Sequence, residues 1–161
     1  MAQPFHIRDV DLPADKTACV SFIDGLQKYE HALEPDRRID VKVGEEYYAV
    51  LMKRVAENKG RIFIVEANGE AVGWAVFVVD SLELYIVEEE RTCGYVAELY
   101  LDENMRGSGA GKALLAACET EARSHGLKHL MIGVLDKNAR AAKVYGAAGF
   151  SPYSLQLRKY L

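Results

Sequence analysis

Residues 106–112 read Arg-Gly-Ser-Gly-Ala-Gly-Lys, so three glycines lie between two cationic side chains. Glycines remove side chains where a ligand must approach the backbone. If a helix begins here, its first N–H groups have no internal acceptor and carry the positive end of the helix dipole. With Arg106 and Lys112 beside them, several such amides together would hold a pyrophosphate. The segment therefore predicts a phosphate site, although a tight turn without a ligand is the alternative.

Two common nucleotide-binding motifs do not fit this spacing. A Walker A loop requires glycine five residues before its Gly-Lys pair and Ser or Thr after it, where this chain has Arg106 and Ala113. A dinucleotide fingerprint requires Gly-x-Gly-x-x-Gly followed by an acidic residue after the next strand, and Asp136 meets that condition only loosely. A protein that binds ATP or NAD is therefore a disfavoured alternative.

Glu98 is a carboxylate in the otherwise apolar run 92–101. Side chains alternate along a strand, so Glu98 and Tyr100 are predicted to share one face and Leu99 and Leu101 the other. Burying a carboxylate is costly unless it meets water, a partner or a substrate. A catalytic base and a structural carboxylate bonded to a partner are both compatible with this pattern.

The elements that must position these residues follow from hydrophobic periodicity, capping and turn signals. The predicted strands are 5–10, 61–67, 71–79, 92–101, 127–134 and 151–160. The predicted helices are 13–31, 41–58, 109–125 and 139–147. Asn68-Gly69 indicates a hairpin turn, and segment 82–90 is either an extension of the sheet or a surface loop. The order β-α-α-β-β-β-α-β-α-β predicts an α/β (α+β) mixed sheet flanked by helices, with the strand from 127 parallel to the strand from 92.

Composition narrows the class of protein. A chain of 161 residues with 50% hydrophobic content predicts one domain, 1–161, with its core over about 5–160. A net charge of −4 argues against nucleic-acid binding. Three separated cysteines argue against a disulfide framework, and neither they nor the four histidines have metal-ligand spacing. No apolar run suggests a signal peptide or a membrane span, so a cytoplasmic location is expected by elimination.

A second pattern lies at residues 138–150, where Asn138 precedes a short helical run bearing Tyr145 and then Gly149-Phe150. With this pattern and the loop at 106–112, the chain resembles the GNAT superfamily of N-acetyltransferases. That family has Arg/Gln-x-x-Gly-x-Gly/Ala between a strand and a helix, which residues 106–111 match. It also has an Asn after a strand, a short helix bearing Tyr, and then Gly-Phe, which residues 138–150 match. The resemblance implies a splayed, GNAT-like acyl-CoA N-acyltransferase sheet that holds acetyl-CoA between two parallel strands.

The resemblance also implies roles for individual residues. Backbone groups of 99–101 would pair with the pantetheine arm, the amides of 107–112 would hold the pyrophosphate, and Asn138 would bond the pantetheine. Arg140 and Lys143 either reach the nucleotide phosphates or belong to a solvated helix face. The residues expected to bind acetyl-CoA are Leu99, Tyr100, Leu101, Arg106, Gly107, Ser108, Gly109, Ala110, Gly111, Lys112, Asn138, Lys143 and Tyr145.

The implied reaction transfers an acetyl group directly to a primary amine in a ternary complex. Tyr145 corresponds to the general acid that protonates the leaving thiolate. Glu98 is a possible general base; some family members use a glutamate near the position of Tyr95 instead, and a chain of waters is a further alternative. The acceptor, a small molecule or a protein or peptide amine, is expected near Tyr29, Glu30 and Glu34.

Three points remain open at this level. A non-catalytic CoA-binding sensor of the same fold would need the glycine-rich loop without Tyr145 or Glu98. The resemblance also implies that the last apolar segment, 153–161, could pair across a homodimer. No metal ion, membrane or nucleic acid is expected as a partner, and the identity of the amine does not follow from the sequence.

Overall fold

The computed structural model describes residues 4–161, which form one sheet with helices on both faces. The strands are β1 (His6–Asp9), β2 (Arg61–Ala67), β3 (Glu70–Ser81), β4 (Thr92–Leu101) and β5 (Leu130–Ile132). The helices are α1 (Lys16–Leu33), α2 (Val43–Glu57), α3 (Glu88–Arg91), α4 (Ala110–Ser124) and α5 (Ala139–Ala147). A short 3-10 turn, Glu103–Met105, leads from β4 into the loop before α4.

The sheet has the spatial order β1-β2-β3-β4-β5. The first four strands pair antiparallel with their neighbours. The strand β5 pairs parallel to β4, which confirms the prediction for the strand from 127. The hairpin between β2 and β3 turns at Asn68 and Gly69, whose φ angles are 53° and 79°. Both values are positive, as a type I′ turn requires. The mixed α/β fold class is therefore the predicted one.

Each face of the sheet buries a separate hydrophobic cluster. On one face α4 packs Leu114, Leu115 and Cys118 against side chains of β2, β3 and β4. On the other face α1 and α2 pack around Trp74, which is fully buried. The alternation of apolar residues along β2 and β3 supplies both clusters, so these strands can be hydrophobic throughout. This two-sided packing fixes β4 and the start of α4 relative to each other.

Replacing Leu114 with alanine is expected to lower the free energy of unfolding by about 2–5 kcal/mol. The side chain is fully buried between α4 and the sheet, so its loss leaves a cavity. Urea denaturation monitored by circular dichroism measures the change. Val50→Ala on α2 is the matched control, because Val50 is 62% exposed and its truncation should change stability by less than about 0.5 kcal/mol. Equal losses in both variants would contradict this packing.

The predicted closing strand at 151–160 is wrong. Residues 151–161 form no helix or strand and are exposed along their whole length. Apolar side chains do alternate here, at Tyr153, Leu155 and Leu157, but they do not pack against the sheet. The neighbouring strand β5 has only three residues, so it offers too short an edge for a long partner. Arg158 instead forms ion pairs with Glu34 and Asp36 beyond the end of α1.

The remaining differences are local. β5 is much shorter than the predicted 127–134, and β3 continues to Ser81. Segment 82–90 does not extend the sheet further; it is irregular until α3 begins at Glu88. None of the helices in the described part of the chain is both long and apolar enough to span a membrane.

Candidate active site

A crevice opens where β4 and β5 separate. The two strands pair only at Gly94–Val96 with Leu130–Ile132, whereas β4 continues to Leu101. Beyond Val96, β4 has no strand partner on this side among residues 4–161, so its edge presents backbone donors and acceptors to the crevice. The crevice encloses about 640 Å³ and extends to the loop before α4 and to α5.

The glycine-rich loop lies at one end of this crevice. Gly107 and Gly109 have φ angles of 83° and 94°, which a glycine adopts at little cost. Within residues 4–161, the N–H groups of Gly107, Gly109, Gly111 and Lys112 have no hydrogen-bond acceptor. A Cβ built on Gly107 or Gly109 would meet nothing within 4 Å, so the space above the backbone is open. Four donors at a helix N-terminus form a receptor for an anion.

Two residues inside the loop do not face the crevice. The hydroxyl of Ser108 donates to the Met105 carbonyl oxygen at 2.7 Å and accepts from the Ala110 N–H at 3.2 Å. The Ala110 amide, which the sequence analysis assigned to the pyrophosphate, is therefore already satisfied by Ser108. The loop is held in shape by these contacts, and its ligand-facing donors are the other four.

The cations predicted at the loop occupy different places. Arg106 donates to the Leu101 carbonyl oxygen at 3.2 Å, and its guanidinium lies 5.1 Å from the ring centre of Tyr29. Both Arg106 and Lys112 line the crevice. Arg106 is half-buried in its wall, whereas the side chain of Lys112 is exposed. On α5, Arg140 lines the crevice, whereas Lys143 is exposed outside it.

Asn138 lies at the start of α5, on the opposite lip of the crevice. Its Oδ1 accepts from the Ala141 N–H at 3.1 Å, which caps the helix, and from the Tyr29 hydroxyl at 3.4 Å. The sequence analysis missed this capping role, although an Asn before a helical run is a signal for it. The side-chain amide nitrogen makes no hydrogen bond within the described residues, so it is the group left to meet a ligand.

Tyr145 projects from α5 into the crevice and packs against the core cluster on the α4 side. Its ring lies 6.1 Å from that of Phe150. Burial, with smaller contributions from Glu30 and Glu98, raises the pKa of the Tyr145 phenol to about 12. The hydroxyl therefore stays protonated at neutral pH and can act as a hydrogen-bond donor.

Glu98 is the one acidic side chain that is buried in the crevice wall. Ala97 is an extra residue in β4, since Val96 pairs with Phe77 and Glu98 with the adjacent Val76. This bulge turns Glu98 toward α1 and α2. Its Oε2 is buried and has no hydrogen-bond partner within residues 4–161.

The burial of Glu98 changes its acidity. Loss of hydration raises the pKa of its carboxyl to about 7, and the nearby charge of Glu30 acts in the same direction. Tyr47 and Arg54 act against this rise, through a hydrogen bond and a positive charge respectively. A carboxyl with a pKa near neutrality can accept a proton and release it again at cellular pH.

The end of the crevice near Glu98 is formed by α1 and the segment that follows it. Tyr29 and Glu30 line it, as expected for the acceptor side, but Glu34 does not. Glu34 instead pairs with Lys137 and Arg158. Arg37 and Tyr95 also line this end. Arg37 could not be predicted here, because the 34–37 segment has no periodic pattern.

The arrangement joins an anion receptor, an open strand edge, a protonated phenol and a buried carboxylate along one continuous crevice. An extended molecule with a phosphate at one end and an amide-bearing arm could bind the first two. The phenol and carboxylate would then flank its far end. No group of three His, Cys, Asp or Glu side chains that could hold a metal ion occurs in the described part of the chain.

Comparison with known proteins gives one family. The model of the acetyltransferase (GNAT) family matches residues 26–150, which include the crevice and both sequence motifs. An uncharacterized N-acetyltransferase of Methanocaldococcus jannaschii is 30% identical over 104 residues. That alignment covers 65% of this chain, and the chain spans only 43% of the relative's length.

Solved structures share the fold. A mutant protein of Bacillus halodurans superposes with a TM-score of 0.82 at 19% identity, over 97% of this chain and 99% of that one. A predicted acetyltransferase of Clostridium acetobutylicum, crystallised with acetyl-CoA, gives a TM-score of 0.72 at 19% identity, over 98% and 96% of the two chains. At such identities these structures establish the fold alone.

Proposed function

Since the chain belongs to the acetyltransferase (GNAT) family, we propose that it transfers an acetyl group from acetyl-CoA to a primary amine inside the crevice. The observation that carries this proposal is the set of four loop amides without an acceptor, next to the open edge of β4. A pyrophosphate needs clustered N–H donors, and a pantetheine arm needs a strand edge. The residues present therefore fit this cosubstrate.

The first chemical requirement is a deprotonated amine. An alkylamine has a pKa of about 10.4, so at neutral pH its ammonium must lose a proton before it can attack. Glu98 is the proposed base, because its carboxyl is buried in the crevice wall and its Oε2 has no partner within residues 4–161. An ionised Glu98 would attract the ammonium and then accept its proton.

The second requirement is control of charge at the reacting carbonyl and sulfur. Bound acetyl-CoA supplies the thioester carbon that the amine attacks, so a C–N bond forms and the C–S bond breaks. The attacking nitrogen gives up its second proton in this step, and the departing sulfur takes up a proton to leave as the CoA thiol. A free N–H on the open edge of β4 near Leu99 would stabilise the carbonyl oxygen. The Tyr145 hydroxyl would donate to the leaving sulfur. Because the pKa of this phenol is raised to about 12, it favours hydrogen-bond donation over complete proton transfer to a thiolate.

Acetyl-CoA binding and amine acetylation are tested separately. Thermal shift is measured with acetyl-CoA, CoA, ATP and NAD, and thiol release is then followed across a panel of amines. A ligand at 100 times its Kd adds about 2.7 kcal/mol of stability, which is readily measured. Stabilisation by ATP or NAD but not by CoA would overturn the proposal. Stabilisation by CoA without thiol release on any amine would favour a non-catalytic CoA-binding domain.

Replacing Gly109 with alanine is expected to weaken acetyl-CoA binding by roughly tenfold. A non-glycine residue at a φ of 94° is strained by about 1–2 kcal/mol, and relief of that strain would reorient the neighbouring amides. Isothermal titration calorimetry with acetyl-CoA measures the change in Kd.

Gly69→Ala is the matched control for this variant. Gly69 also has a positive φ of 79° and open space around it, but it lies in the β2–β3 hairpin away from the crevice. A comparable loss of stability is expected there, with an unchanged Kd. Equal affinities of the Gly109 variant and the unaltered protein would exclude these amides from phosphate binding.

A further inference from the structure

The charges around the Glu98 end of the crevice are nearly all compensated. Arg37 donates to Glu30 at 3.0 Å and to Asp36 at 2.7 Å. Outside the crevice, Glu34 and Asp36 are held by Arg158, and Glu34 also by Lys137. Three exposed or half-buried carboxylates thus face three cations, and there is no surplus of negative charge at this entrance among the described residues.

Of the two carboxylates that line the crevice among the described residues, Glu98 has no cationic partner. Glu98 forms no ion pair within residues 4–161, and its Oε2 is buried without a hydrogen bond. A single ammonium group would satisfy it. Among the described residues that line the crevice, the other carboxylate is Glu30, which Arg37 already pairs. A second ammonium on the same molecule would therefore meet positive charge instead of a free acceptor.

Arg37 adds a preference beyond this exclusion. It is part of the crevice lining, and its bonds to Glu30 and Asp36 use Nε and Nη1. Its Nη2 donates no hydrogen bond to the described residues. A guanidinium nitrogen with donors to spare is suited to a carboxylate or another anionic group on the acceptor.

We infer that the acceptor is a small molecule with one amine, which meets Glu98, and an anionic group, which meets Arg37; a polycation is a poor acceptor. This inference rests on the proposed function, because it names the amine class that the same crevice selects. The inference follows from the charge pairing at this end of the crevice. One buried carboxylate, Glu98, can bind an ammonium group, and, within the described residues, one guanidinium, Arg37, has a free N–H donor for an anion.

Three acceptors of equal chain length test the inference. Pentylamine, 1,5-diaminopentane and 5-aminopentanoate share one amine and differ only in the group at the far end, which is neutral, positive or negative. The value of kcat/KM is measured for each by thiol release. We expect 5-aminopentanoate to be used best and the diamine worst, with about a tenfold or larger difference between these two.

Arg37→Gln gives the second arm of the test. Loss of this cation leaves Glu30 without its ion-pair partner and removes the donor to the anionic group, so the ratio of kcat/KM for 5-aminopentanoate over the diamine should fall by about tenfold or more. Arg38→Gln is the matched control, because Arg38 is the adjacent arginine, pairs with Asp40 and Glu46, and does not line the crevice. Its ratio should equal that of the unaltered protein.

Each ligand is also titrated into the CoA-saturated protein by calorimetry, which ranks affinity even where transfer to these short chains is slow. A diamine that binds or reacts as well as 5-aminopentanoate, or a ratio that Arg37→Gln leaves unchanged, would overturn the inference while acetyl transfer itself stands. Absence of binding by all three ligands would also overturn it. Loss of acetyl-CoA binding and of thiol release with every amine would instead refute the proposed function.

Discussion

Replacing Tyr145 with phenylalanine is expected to lower kcat by roughly 100- to 1,000-fold, while the Kd for acetyl-CoA changes by less than about threefold. The ring fills the crevice wall and packs against the α4-side cluster, so a phenylalanine preserves the packing. Only the hydroxyl is lost, and with it the donor to the leaving sulfur. Stopped-flow or steady-state thiol release gives kcat, and calorimetry gives the Kd.

Tyr85→Phe is the control for this substitution. Tyr85 is 83% exposed and lies outside the crevice, so removal of its hydroxyl should leave both constants unchanged. A more reactive acyl donor with a better leaving thiol should also recover part of the activity of the Tyr145 variant, because it needs less stabilisation of the sulfur. Unchanged kcat in Tyr145→Phe would remove the phenol from the reaction.

Replacing Glu98 with glutamine is expected to lower kcat/KM by roughly 100- to 1,000-fold and to abolish part of its pH dependence. The amide has nearly the same shape as the carboxyl but cannot accept the proton of the ammonium. Activity measured across pH 5.5–9, with stability checked at each pH, reports the effect.

The sign of the pH effect follows from the raised pKa. Glu98 works as a base only in its ionised form, and its carboxyl has a pKa of about 7. Activity of the unaltered protein should therefore fall as the pH drops below about 7, instead of near the ordinary glutamate value. The glutamine variant should lack this fall in activity at low pH, which is the acidic limb of the pH profile.

Two further variants make the interpretation of Glu98 specific. Glu57→Gln alters an exposed carboxylate that pairs with Lys53 on α2, and it should keep both the rate and the acidic limb. Glu98→Asp should retain the fall in activity at acidic pH but with a lower kcat/KM, because a carboxylate is still present but lies further from the amine. An acidic limb that persists in Glu98→Gln would assign the proton transfer to water or to another group.

Local patterns sufficed to predict the glycine-rich loop and the helix that follows it. The glycine spacing at 107, 109 and 111 and the helix that follows are both features of neighbouring residues, and the structure has them where the sequence predicts. The strand order up to β5 also followed from periodicity and turn signals. The prediction of a closing strand at 151–160 was wrong. Alternating apolar residues depend on the segment alone, whereas a strand also requires a neighbouring strand with a free edge of sufficient length.

The Glu98 end of the crevice depends on contacts between residues that are distant in sequence. Arg37 reaches Glu30 across a bend with no regular pattern, and Tyr29 reaches Asn138 across 109 positions of sequence. Alternation counted from Val96 would have placed Glu98 on the α4 side, since it cannot anticipate a bulge. The pairing of charges at this end of the crevice could therefore not be predicted from the sequence.

The β-bulge at Ala97 separates two parts of β4 that differ in their strand pairing. From Gly94 to Val96 the strand pairs with β3 on one edge and with β5 on the other. After the bulge, the edge on the β5 side is open. In a strand of the same sequence without the bulge, the Glu98 side chain would point into the hydrophobic cluster beneath α4. Burying an ionised carboxylate there would cost a large free energy of desolvation. A single extra residue thus lets an inner strand of the sheet also form a wall of the crevice.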